Sequence, residues 1–142
     1  MLSRLLCTLC LFVLFGPWQS AQAVDLAAKF APKLRFDRAA VGYPMSAQPF
    51  YEAMQRNRNG ATFVPPENLD VTSLHSGKVP TYYQVRQFGN QVRIHYWWFY
   101  GFQHPCFLDQ GQHNGDWEHI MVTLAEDKNS IAAVTYYQHN GS

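Results

Sequence analysis

The second half of the chain alternates apolar and polar residues with a period of two. Tyr82 to Phe88 and Gln91 to Tyr100 flank Gly89-Asn90, a two-residue turn signal between aromatic and β-branched runs, which predicts a hairpin. Trp117 to Leu124 and Ile131 to His139 predict a second strand pair around the polar turn Glu126 to Asn129. Val92, Ile94, Tyr96 and Trp98 fall on one face of their strand, and Ile120, Val122 and Leu124 on one face of the next. Short strands joined by hairpins predict a mainly β fold, an antiparallel β-sandwich; four strands form a thin core, so the sandwich is expected to be incomplete.

The first half has a different pattern. Val24 to Leu34 and Pro49 to Arg56 predict two short N-terminal helices, the first capped by Asp25 and limited by Pro32, the second with Phe50, Ala53 and Met54 at helical spacing. Arg35 to Asp37 predicts a brief extended piece. Between Asn57 and Pro80 periodicity is lost, and Asn59-Gly60, Val64-Pro65-Pro66 and Ser76-Gly77 predict a long surface loop.

Ahead of these elements, Arg4 precedes the apolar run Leu5 to Phe15, which is shorter than the ~20 residues of a membrane-spanning helix. Ala21-Gln22-Ala23 follows as a small-x-small pattern. Residues 1–23 therefore read as a secretory signal peptide cleaved after Ala23, which predicts a secreted or periplasmic protein with no transmembrane segment in the mature chain. Residues 24–142 then make one domain, and its end directly after a strand predicts a C-terminally truncated fragment. Cleavage removes Cys7 and Cys10 and leaves Cys106 as the lone thiol, so no internal disulfide is expected.

Charge narrows the function further. The chain carries 11 Lys and Arg against 10 Asp and Glu, and loss of Arg4 balances them. That balance, with no basic run, gives no reason to expect a nucleic-acid partner. The chemistry concentrates at His113-Asn114-Gly115-Asp116-Trp117-Glu118-His119. Asp116 and Glu118, two apart on a strand, project to the same face with Cα atoms roughly 6–7 Å apart. Gly111 and Gly115 supply the freedom for His113, read as a loop residue, to fold back, and Asp109 is a further acid in reach. His113, Asp116 and Glu118 make an oxygen-rich set suited to a divalent cation such as Ca²⁺ or Mg²⁺. The bland alternative is a solvated strand end. His119 falls on the opposite face with Trp117 and Met121 and reads as packing, while His95 shares a face with Arg93 and Trp97.

The ordered segments Ala31 to Phe36, Val79 to Tyr83, Tyr96 to Gly101, Gly115 to His119 and Tyr136 to Gly141 resemble the vacuolar protein sorting-associated protein 62 family. More distantly, the chain is similar to the necrosis-inducing, ethylene-inducing-peptide-like cytolysins, which are β-sandwiches with the hallmark Gly-His-Arg-His-Asp-Trp-Glu. His113, Asp116, Trp117 and Glu118 match that hallmark, Asn114 and Gly115 depart from it, and Gln103 stands near the place of a further family acid. In those toxins the first His, the Asp and the Glu help hold a divalent cation used in engaging plant sphingolipid head groups. The resemblance implies the same role for His113, Asp116 and Glu118. The expected function is a secreted, non-enzymatic, toxin-like binding module engaging a surface glycan or lipid head group. A glycan hydrolase using Asp116 and Glu118 as a carboxylate pair, and an inactive fragment, are the alternatives.

Overall fold

A computed structural model describes residues 18–58, 63–105 and 110–137. Two helices, α1 (Trp18–Lys29) and α2 (Ala47–Arg56), precede four strands: β1 (Tyr82–Phe88), β2 (Gln91–Gln103), β3 (His113–Leu124) and β4 (Ile131–Tyr137). The strands form one antiparallel sheet in the order β1-β2-β3-β4. The mainly β class therefore stands, and among the described residues the sheet does not close on itself. Its connections are those the turn residues dictate. Gly89 sits at φ 59°, as a tight hairpin requires, and Lys128, at φ 55°, closes the second hairpin.

Alternation sorts the side chains onto two faces. Register pairs Ile94 with Val122, Tyr96 with Ile120 and Trp98 with Glu118. On this face Val92, Ile94, Tyr96, Trp98, Val122 and Leu124 pack beneath Ala27 of α1, with Leu26 and Phe30 against them. The Tyr96 hydroxyl, fully buried, donates to the Ala27 carbonyl at 2.9 Å, satisfying one of the carbonyls that the helix end leaves open. Ile131, Val134 and Tyr136 of β4 stay exposed.

On the opposite face Phe99 joins Met45 and Phe50 in a second cluster. The seat of α2 depends on two missing side chains. Register pairs Tyr100 with Asp116 and Phe102 with Asn114, which sets Gly101 against Gly115 between them. A Cβ on Gly115 would press on the Phe50 ring at 3.0 Å, and one on Gly101 would overlap the Pro66 carbonyl. The two glycines thus let α2 and the 63–68 segment lie directly on the sheet.

Several sequence expectations are corrected. α1 begins well before Val24, so Asp25 lies inside it and is no cap, and the helix runs through Ala23. Of the described side chains, Leu26 and Ala27 of the helix, and Phe30 just past its end, pack against the sheet. α2 starts two residues before Pro49, because the Ser46 hydroxyl accepts from the Gln48 amide. Arg35 to Asp37 lies outside the regular elements. The long loop contains a 3₁₀ turn, Val71–His75, whose Asp70 carboxylate accepts from the Thr72 amide. Residues 1–17, Asn59-Gly60, Cys106, Asp109 and 138–142 lie outside the described residues.

Candidate functional site

His113 opens β3 rather than lying in the loop before it, and pairs with Gln103 across β2. Gly111 at φ 83° and Gly115 at φ 71° bend the chain around it, conformations that side-chain-bearing residues seldom adopt. His113 Nδ1 lies 2.9 Å from the Gly111 carbonyl. A carbonyl only accepts, so Nδ1 carries the proton and the neutral ring keeps its lone pair on Nε2. That Nε2 stands 3.6 Å from Asp116 Oδ1. A lone pair on Nε2 and a carboxylate oxygen at this separation could both contact one cation. Oxygen-type bonds of about 2.3–2.6 Å meeting near a right angle separate two donor atoms by ~3.3–3.7 Å, which brackets the observed distance.

Asp116 is buried at 4% exposure, so the solvated strand end is excluded for it, while His113 is exposed and Glu118 half-buried. Glu118 and Asp116 share the α1 face with Tyr100, whose hydroxyl is pushed up to about 12 by burial first and then by the two carboxylates. Tyr100 therefore remains a neutral hydrogen-bond donor across the physiological range. The sequence-derived trio is thus partly assembled. His113 and Asp116 meet, and Glu118 lies one alternation further along the same face. Among the described residues no three His, Cys, Asp or Glu side chains converge tightly enough to hold a metal ion by themselves.

Beside Glu118, its register partner Trp98 forms the wall of a cavity of about 430 Å³, with Leu34, Phe36, Leu74 and Val79 around it and Thr81 at its polar side. The Trp98 indole N–H donates to the Thr81 hydroxyl at 3.0 Å. Sequence reasoning missed this cavity, because Leu34, Phe36, Leu74 and Trp98 are brought together only by contacts distant along the chain.

The opposite face carries an arrangement that sequence reasoning took as packing. Trp97, His119 and Tyr137 occupy one rung across β2, β3 and β4. Their rings stack at 4.7 and 4.3 Å, near the strand spacing itself. Stacked in this way the rings stand on the sheet and present edges, so they form no flat platform for a sugar. His95 Nδ1 lies 2.9 Å from His119 Nε2, and with ring centroids 5.1 Å apart the imidazoles meet edge to edge. Burial first, and then Arg86 and Arg93, hold His95 below the usual histidine range; burial and then His95 do the same for His119. The signal available in the sequence was the shared face of His95 with Trp97 and of His119 with Met121; the register that joins them is not local.

Comparison with known proteins supports the fold. The chain is similar to a solved structure described as a "Toxin fold for microbial attack and plant defense", with 22% identity and a TM-score of 0.54. The match covers 82% of this chain and 51% of that one, so the chain spans about half the length of the solved protein. No family model matches, and no curated protein does. The likeness thus lies with a toxin fold, and the resemblance to the vacuolar protein sorting-associated protein 62 family receives no support. Among the described residues no helix is long and apolar enough to cross a membrane.

Proposed function

We propose that the protein is a secreted, non-enzymatic, toxin-like binding module that uses a divalent cation, Ca²⁺ or Mg²⁺, to engage a surface glycan or lipid head group. The observation that carries this reading is the facing pair of His113 Nε2 and Asp116 Oδ1 at 3.6 Å, with Nδ1 committed to the Gly111 carbonyl. Glu118, on the same face as Asp116, supplies a second carboxylate. A bound cation would polarise and anchor hydroxyl or phosphate oxygens of the ligand. The neutral Tyr100 hydroxyl beside the carboxylates is suited to donate to the same oxygens. The similarity of the sheet to a toxin fold supports the class, and the apolar run before Ala23 supports export.

Calorimetric titration of the protein with Ca²⁺, Mg²⁺ and Mn²⁺ tests the cation. Binding of one ion, abolished in the Asp116→Asn, Glu118→Gln double variant, is the expected result. Absence of heat with all three ions, or equal binding by the double variant, would sink the proposal.

A further inference from the structure

The α2 face of the sheet holds a second cluster of metal-binding side chains, with a different chemistry. His95, His119 and Met121 occupy neighbouring positions there. His95 is the register partner of Met121, and His119 precedes Met121 by two residues on the same strand. All three are half-buried, sheltered yet reachable. Tyr137 touches two of the three, because its ring stacks on His119 at 4.3 Å while its hydroxyl donates to Met121 Sδ at 3.8 Å.

We infer that His95, His119 and Met121 form a binding site for a soft monovalent ion, Cu(I). Three features select that ion. The first is the ligand set, two imidazoles and a thioether, which suits copper(I) and offers hard cations no anionic oxygen. The second is the neighbourhood. Arg86 and Arg93 lie close enough to act on His95, and this positive field opposes a divalent ion more strongly than a monovalent one. The third is the geometry of the pair. His95 Nδ1 and His119 Nε2 at 2.9 Å share one proton. Metal–nitrogen bonds of ~2.0 Å at tetrahedral to trigonal angles place two nitrogens roughly 3.3–3.5 Å apart. Exchange of the shared proton for an ion therefore needs an opening of about half an ångström, within reach of small χ rotations. Trp97 on one side of His119 and Tyr137 on the other wall the imidazole against water.

The test is an anaerobic transfer titration from the bicinchoninate complex of Cu(I). It uses the full chain carrying Cys7→Ser, Cys10→Ser and Cys106→Ser, so that no thiol competes. One equivalent of Cu(I) is expected to leave the chelator. His119→Phe, which keeps a ring in the stack, and Met121→Leu, which conserves volume, are each expected to weaken binding at least ~10-fold, the loss seen even when an outer partner of a ligand is removed. His104→Gln, a histidine paired with Glu67 elsewhere, is expected to change nothing. X-ray absorption of the Cu(I)-loaded protein reads the site without any further variant, and a sulfur scatterer beside imidazole nitrogens is the expected spectrum. No transfer of copper, undiminished transfer to both ligand variants, or a spectrum lacking sulfur would overturn the inference.

Discussion

Replacement of Gly115 by Ala tests whether the bend that delivers His113 and Asp116 is built by that glycine. Two costs add. The residue sits at φ 71°, where an L side chain costs about 1–2 kcal/mol. The new methyl would also meet Phe50 at 3.0 and 3.2 Å. Phe50 has little room to swing, since it is buried and packs edge-on against Phe99 at 5.0 Å and Phe63 at 5.5 Å. Such overpacking costs typically ~1–3 kcal/mol. The narrower unfolded ensemble of Ala offsets about 0.4–1 kcal/mol. The net expectation is a loss of roughly 2–3 kcal/mol, a substantial fraction of a small domain's stability.

Urea unfolding followed by tryptophan fluorescence measures that loss as a lower midpoint at an unchanged slope. Adding Phe50→Leu to Gly115→Ala separates the two costs: the contact component is relieved, the backbone component stays, and the double variant falls short of additivity. A loss under ~0.5 kcal/mol for Gly115→Ala would refute the reasoning, because neither the left-handed backbone nor the Phe50 contact would then matter.

Two further outcomes follow from buried polar groups. Tyr96→Phe removes the hydroxyl that donates to the Ala27 carbonyl and leaves that acceptor under the helix without it, so a loss of about 1–2 kcal/mol is expected, together with faster amide exchange in α1. The pH dependence of stability reports the His95–His119 pair. Both rings titrate below the usual histidine value of 6.5, so the unfolded chain binds more protons in that window. Their contribution is fully present above pH 6.5 and is lost as pH falls toward the folded values. The melting temperature should drop across that interval, and His95→Phe should flatten the drop; an unchanged slope would contradict the assignment.

Much of the sheet was legible in the sequence because period-two alternation and turn residues are local signals. Tyr82–Phe88 is the strand that the Gly89-Asn90 turn implies, and the starts of β2 and β4 follow from the same turn logic. The start of β3 was not legible. Gly111, Gly115 and Asn114 carry no strand signal, yet pairing with Phe102 and Gln103 extends β3 back to His113. The helices were displaced for a similar reason, since the Ser46 cap lies outside the apolar pattern. The burial of Asp116 escaped sequence reasoning because it depends on neighbours distant along the chain, as Tyr100 is. The His95–His119 contact escaped for the same reason, as 24 residues separate the two rings and only the register of β2 against β3 joins them.

β3 carries the two proposed sites on opposite faces, and one alternation divides them. Glu118 points to the α1 face with Asp116, and the next residue, His119, points to the α2 face with Met121. The chemistry divides with it. In the two proposals, carboxylates with an exposed imidazole would serve a hard divalent ion, and imidazoles with a thioether near Arg86 and Arg93 a soft monovalent one. The backbone of the sheet lies between Asp116 and Glu118 on one face and His119 and Met121 on the other. The faces are nevertheless coupled mechanically. Gly115 stands between His113 and Asp116 and faces Phe50, so the packing of α2 sets the bend that delivers the hard site. Met121 and His119 lie further along the same strand, on the rungs that pair with His95 and Trp97, away from that bend. Disturbing α2 should therefore weaken the hard site and spare the soft one, an asymmetry that strand geometry imposes and that ligand chemistry alone does not.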